Sequence, residues 1–136
     1  MKKTVFFIII SVSLLAFACD KDEESDRFKF LTTPVWTADS LLANGVDASG
    51  PGEILSIFIG DAKFNTDGTG TFGIYNGTWR FNGDETELVL VTNALPVPVT
   101  TDIVELTAQS LKVTTIFPNP ANPTQTLNLR MTFKAK

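Results

Sequence analysis

The chain has 136 residues, 43% hydrophobic and 19% charged, with 15 acidic residues against 11 basic ones and a formal net charge of −4. That length suits one domain with a single core and is too short for two. An acidic chain lacks the basic patch that nucleic-acid binding requires, and without histidine it lacks the commonest general base and metal ligand.

Met1-Lys2-Lys3-Thr4 is basic, and Val5 to Ala18 is apolar except for Ser11 and Ser13. A basic start, a short apolar run and a small residue at its end make a secretory signal peptide over residues 1–18. A membrane-spanning helix would need about 20 apolar residues. Cys19 is the only cysteine, so a disulfide within the chain is ruled out, and a free thiol is unusual in an exported protein. Leu15-Ala16-Phe17-Ala18-Cys19 resembles the lipobox of bacterial lipoproteins, which implies that Cys19 becomes the mature N-terminus and carries a membrane anchor of two or three acyl chains. Lys21, Asp22, Glu23 and Glu24 resemble the export signal of Bacteroidetes lipoproteins. That resemblance implies an outer-membrane protein facing the cell surface. By charge alone the same run is a solvated linker, and residues 19–33 are expected to be the lipidated cysteine and a flexible acidic tether. Without residues 1–18, nine basic residues face fifteen acidic ones, a net charge of −6.

From residue 34 to 136 short alternating runs are broken by Gly, Asn, Asp and Pro. Val35 to Asp39 reads as a first strand, although Ala38 to Asn44 also suits a helical turn. Asn44 to Gly52 reads as a loop. Glu53 to Ile59 is apolar and reads as a strand, the other choice being a short helix across a barrel mouth. Asp67-Gly68 between two alternating runs is a hairpin signal. Tyr75-Asn76-Gly77-Thr78 offers a second turn and Asn82-Gly83-Asp84-Glu85 a third. Val104 and Leu106, then Leu111, Val113, Thr115 and Phe117, then Leu127, Leu129, Met131 and Phe133 have the period of two that marks a half-buried strand. Ile116-Phe117-Pro118-Asn119-Pro120-Ala121-Asn122-Pro123 resembles the opening of a type IX secretion sorting domain, but too little chain follows it. It reads as a proline-stiffened connection between the last two strands.

Trp36, then Phe64-Asn65-Thr66-Asp67-Gly68-Thr69-Gly70, then Gly77-Thr78-Trp79-Arg80-Phe81, then Ile103-Val104-Glu105-Leu106 and Leu111-Lys112-Val113 resemble the lipocalin-like lipoproteins of Bacteroidetes. The resemblance implies an all-β fold, an antiparallel up-and-down meander closing into a calycin-like barrel of about eight strands. A barrel of that size is either filled by side chains or holds one small ligand. Phe64, Phe72, Trp79, Phe81, Val104, Leu129 and Met131 are expected to form the core or to line such a cavity.

Catalytic residues, metal ligands and cofactor motifs are not found in the sequence. Asp84, Glu85 and Glu87 crowd a turn, where water solvates them. The Asn65–Gly70 run fails the calcium-loop pattern, because Lys63 stands where the first acid belongs. The expectation is a non-enzymatic, monomeric lipoprotein that binds a small apolar or amphipathic ligand. The alternative is a filled barrel that acts through its loops.

Overall fold

The computed structural model describes residues 24–136. A helix, α1 (Asp26–Thr32), precedes nine strands: β1 (Trp36–Ala43), β2 (Val46–Asp47), β3 (Asp61–Phe64), β4 (Thr69–Phe72), β5 (Tyr75–Phe81), β6 (Glu87–Thr92), β7 (Val99–Leu106), β8 (Ser110–Pro118) and β9 (Thr126–Ala135). Each strand from β3 to β9 pairs antiparallel with the next, and β1 pairs with both β3 and β9, so eight strands form a closed antiparallel barrel. The two-residue β2 hangs from β1 as a ninth strand. The meander sorts its connections by end. Residues 44–60, 73–74, 93–98 and 119–125 lie at what we call the upper end. The helix and residues 65–68, 82–86 and 107–109 lie at the lower end.

Alternation places Leu111, Val113, Leu129, Met131 and Phe133 inside, all buried, with Lys134 and Arg130 outside. Turn chemistry fixes the register between strands. Gly68 has φ +85°, and the Asp67 carboxylate accepts from the Thr69 amide and hydroxyl, closing the β3–β4 hairpin. Asn44 and Gly45 both have positive φ, the two-residue turn that joins β1 to β2.

Four expectations are corrected. The second turn is at Gly73-Ile74, where Gly73 has φ +60°. Asn76 and Gly77 lie within β5, and Gly77 is needed because a Cβ there would stand 2.0 Å from the Val91 carbonyl oxygen of β6. Residues 53–59 form no strand: Ser56–Phe58 is a single 3-10 turn. Val104 points outward, 58% exposed. A bulge between Ile103 and Glu105 sets Val104 and Glu105 together opposite Lys112, so Ile103 and Leu106 take the inward places. The tether is shorter than residues 19–33, because Ser25 caps α1 and Leu31 is fully buried.

Helix α1 spans the lower end. It touches β3 and β7, its Phe28 ring lies 5.6 Å from that of Trp79 on β5, and the indole N–H of Trp36 donates to the Leu31 carbonyl. The Ser25 hydroxyl donates to the Glu85 carboxylate at 2.8 Å and the Arg27 Nε–H to the Glu85 carbonyl at 2.9 Å, pinning the helix start to the β5–β6 turn. The Lys63 ammonium donates to the carbonyls of Thr32, Thr33 and Pro34, which satisfies acceptors left free at the helix end.

Candidate functional site

Strands β3, β4 and β5 send Phe64, Phe72 and Trp79 into the lower half of the barrel. Their rings meet edge-on, Phe64 to Phe72 at 5.4 Å and Phe64 to Trp79 at 5.8 Å, and Phe81 closes on Trp79 at 5.5 Å. Edge-to-face contacts suit the ring quadrupoles. The Trp79 indole N–H donates to the Asn65 carbonyl at 2.9 Å, so this ring keeps no free polar edge for a ligand. Phe64, Phe72 and Trp79 are buried and Phe81 is half-buried against the same cluster.

The upper half is built differently. Val99, Leu129 and Met131 come from the wall, but the lid over them comes from the long β1–β3 connection. Its 3-10 turn puts Leu55 and Phe58, three residues apart and therefore on one side, into the barrel, at 1% and 7% exposure. Leu95 reaches the same space from the β6–β7 connection and Phe117 from the upper end of β8.

Free volume inside is small. One space of about 20 Å³ lies beneath Phe58 among Phe64, Phe72, Leu88 and Met131. A second of about 20 Å³ lies at the mouth between Leu55, Phe58, Val99 and Leu129. Pockets for drug-sized ligands start at about 300 Å³. The larger concavities, about 690 and 310 Å³, are open grooves. The first is lined mainly by outward-facing groups, among them Asp102, Thr114, Asn128 and Arg130. The second lies between β1 and the β1–β3 connection.

Electrostatics divide the molecule along its axis. The upper connections carry two carboxylates, Asp47 and Glu53, and no lysine or arginine. Apolar side chains stand exposed there, Ile74 at 89%, Val46 at 69% and Val97 at 54%. The lower end carries Asp26, Arg27, Lys29, Asp67, Asp84, Glu85 and Lys136. Among the described residues no buried side-chain polar atom lacks a partner, and Thr101, fully buried, donates to the Leu88 carbonyl. The perturbed acids are exposed. Hydrogen bonds from Ser49 lower the pKa of Asp47, those from Thr69 lower Asp67, and those from Lys136 and Lys112 lower Asp61 and Glu105 respectively. None is raised towards a value at which it would hold a proton near neutrality. Among the described residues no cluster of His, Cys, Asp or Glu could bind a metal ion.

Of the residues expected to carry the anchor and its address, Cys19, Lys21, Asp22 and Glu23 lie outside the described residues, as does the signal peptide. Glu24 is exposed at the lower end. Leu55 and Phe58 were not foreseen as lining residues. Their spacing of three within an apolar run is the signal that could have found them.

No family model and no curated protein sequence matches the chain. Among solved structures, bovine odorant binding protein, in complex with a selenium-containing odorant, superposes with a TM-score of 0.53 at 15% identity, over 84% of this chain and 75% of that one. The fold is lipocalin-like. At that identity the likeness extends to the fold alone.

Proposed function

We propose that this lipocalin-like protein is a non-enzymatic lipoprotein of the cell envelope, anchored through Cys19 to the outer membrane and facing the cell surface, and that its barrel takes one small apolar or amphipathic molecule. The observation that carries the ligand reading is the origin of the lid. The upper interior is lined by apolar side chains apart from Thr115, yet its last two side chains, Leu55 and Phe58, come from a connection and not from the wall. The odorant complex of the bovine protein supports the reading by analogy of fold only. For the anchor, support comes from the sequence: a lone cysteine after a small residue at the end of an apolar run. The Lys21–Glu24 charges support the surface address.

A second reading has an observation of its own. With the interior spaces beneath and beside Phe58 at about 20 Å³ each among the described residues, the barrel as it stands is filled, and a filled barrel acts through its loops. The upper connections, which carry no lysine or arginine and leave Ile74, Val46 and Val97 exposed, would then be the contact surface. Native mass spectrometry of the chain purified from its own cells separates the two. A co-purifying small molecule, released on unfolding, is the result expected of a ligand carrier. A bare chain that also fails to bind any neutral apolar probe would favour the filled barrel.

A further inference from the structure

The outer wall of the barrel carries a row of side chains that the strand registers fix. Glu87 of β6 stands beside Asp102 of β7, Asp102 beside Thr114 of β8, Thr114 beside Arg130 of β9, and Arg130 beside Leu42 of β1. Two residues further up the same face, Ile116 stands beside Asn128. Asn128 in turn exchanges two hydrogen bonds with Asn44: its carbonyl accepts from the Asn44 amide at 2.8 Å, and its amide donates to the Asn44 side-chain oxygen at 3.0 Å. From Asp102 to Leu42 and from Ile116 to Asn44, these rows line the open groove of about 690 Å³. Lower on the wall, three lysines have carboxylates of their own. Lys112 meets Glu105 at 3.1 Å, Lys134 meets Asp39 at 2.9 Å and Lys136 meets Asp61 at 2.8 Å. In the groove the charges are held apart. Arg130 has Thr114 and Leu42 on its two sides, and Asp102 has Glu87 and Thr114, so the register gives neither an opposite charge as a neighbour. Among the described residues neither is in an ion pair, and both are exposed. With strands about 4.8 Å apart, two strand spacings separate them by roughly 10 Å at the backbone. The β7 end of the row is therefore negative, with two carboxylates, and the β9 end is positive.

We propose that this outer groove binds a short peptide with free termini, its ammonium at Asp102 and its carboxylate at Arg130. The site lies on the outside of the wall and depends neither on the barrel interior nor on the ligand reading above. Charge, spacing and volume define the ligand. A guanidinium fork matches a carboxylate with two parallel bonds, and the side-chain amide of Asn128, two residues along the same strand face, is a further donor for that anion. Asp102, with Glu87 beside it, offers the opposite end a carboxylate in a negative field. An extended chain advances about 3.5 Å per residue, so two or three residues span the interval between the two charges. A free amino acid has both charges on one carbon and reaches only one of them. The groove's volume of about 690 Å³ falls inside the range of about 300–1,000 Å³ usual for small-ligand sites. Between the two ends, Ile116 is 68% exposed above Thr114. It gives the peptide's side chains an apolar contact, and the Thr114 hydroxyl is a partner for the peptide backbone.

The test is ligand-observed saturation-transfer NMR on the full chain. The probes are trialanine, N-acetyl-trialanine, trialanine amide and, as a neutral hydroxylated ligand, maltotriose. Trialanine should bind, and blocking either terminus should weaken it about fivefold, the strong end of the range for an exposed charge pair. Asp102→Asn should weaken trialanine to the same degree and leave N-acetyl-trialanine as it was. Arg130→Gln should likewise weaken trialanine and leave trialanine amide as it was. A general loss of structure would not pair one variant with one terminus in this way. Arg80→Gln, exposed on the wall but outside the groove, should change nothing. The proposal fails if trialanine gives no transfer, if it binds no better than its blocked forms, or if the parent and both groove variants bind it alike. It also fails if maltotriose binds in its place and is lost in the same variants, since the groove would then be a site for hydroxyl groups. None of these results bears on whether the barrel interior holds a ligand, so the two readings stand or fall separately.

Discussion

The indole N–H of Trp36 donates to the carbonyl oxygen of Leu31 at 2.9 Å, and both residues are fully buried. One is the first residue of the first strand and the other is in the last turn of the helix before it. The bond satisfies a carbonyl that the helix itself leaves free, and it fixes how α1 crosses the lower end. Phe28 then meets Trp79 from below, so two tryptophans share the work of joining helix to barrel.

Trp36→Phe keeps most of the apolar area and deletes the donor. A buried carbonyl left without a partner costs about 1–3 kcal/mol. Urea melts should show that loss, and limited proteolysis should cut first between Ser25 and Pro34. A melt unchanged from the parent would mean that water replaces the indole, and the helix would not be anchored as described.

Trp79→Ala should cost about 3–5 kcal/mol through lost burial and the cavity left behind. Its neighbour Arg80 is exposed on the opposite face, and Arg80→Ala should stay within about 0.5 kcal/mol. Since a whole domain has only about 5–15 kcal/mol, the first variant should be visibly weakened at room temperature. The reverse order would overturn the register of β5.

Gly77→Ala tests the close approach of β5 to β6. With Val91 O at 2.0 Å from the added Cβ, the two backbones must part, and a loss of more than about 4 kcal/mol is expected. Gly45→Ala meets nothing within 4 Å but sits at φ +80°, so it should cost only the left-handed strain, about 1–2 kcal/mol. Thermal melts of the two variants side by side give the comparison, and equal losses would contradict it.

Stability should fall only in acid. Asp47, Asp61, Asp67 and Glu105 have pKa values lowered in the folded state by their hydrogen-bond donors. A lowered carboxylate pKa contributes stability that is present above the unfolded value, near 4, and is lost as pH falls through the folded one. With no histidine in the chain, the urea midpoint should be flat from about pH 5 to 8 and drop below about pH 4. A step between pH 6 and 7 would demand a titrating group that the structure does not account for.

Cys19→Ser should abolish fatty-acid labelling of the protein in growing cells, and equal label in the variant would rule out the anchor. Replacing Lys21, Asp22, Glu23 and Glu24 by alanine should keep the label but protect the protein from protease added to intact cells. Unchanged cleavage would reduce those charges to a linker.

The wall of the barrel was legible in the sequence because a period of two leaves little choice. Leu129, Met131 and Phe133 on one face and Arg130 and Lys134 on the other hold β9 to a single register. The misreadings fell where two local signals compete. Asn76-Gly77 is a better hairpin dipeptide than Gly73-Ile74, yet the backbone contact at Gly77 and the pairing of Phe72 with Tyr75 move the turn upstream. Residues 54–59 are β-branched and apolar enough for a strand, but Leu55 and Phe58 bury themselves as a pair in the mouth. Val104 obeys the alternation until the bulge beside it reverses its face, and bulges leave no mark in composition. Ser25 followed by Asp26 is a helix start by capping rules, masked by the acidic run ahead of it. The β1–β3 connection was the least legible part, because its place depends on the space that eight strands leave open at one end.

The seam between β1 and β9 joins Trp36 to Ala135, almost the full length of the barrel's sequence. Every other wall pairing links neighbours along the chain. Until the seam closes, β1 and β9 offer long unpaired edges, and bringing such distant segments together is the slow step for chains of this topology. Ring closure is therefore expected late in folding. Residues Thr126 to Ala135 are the last of the wall strands to emerge from the ribosome or from a translocation channel. A chain that must pass a membrane unfolded would thus lack its closing strand until the other seven had crossed, and timing alone would guard it against premature closure.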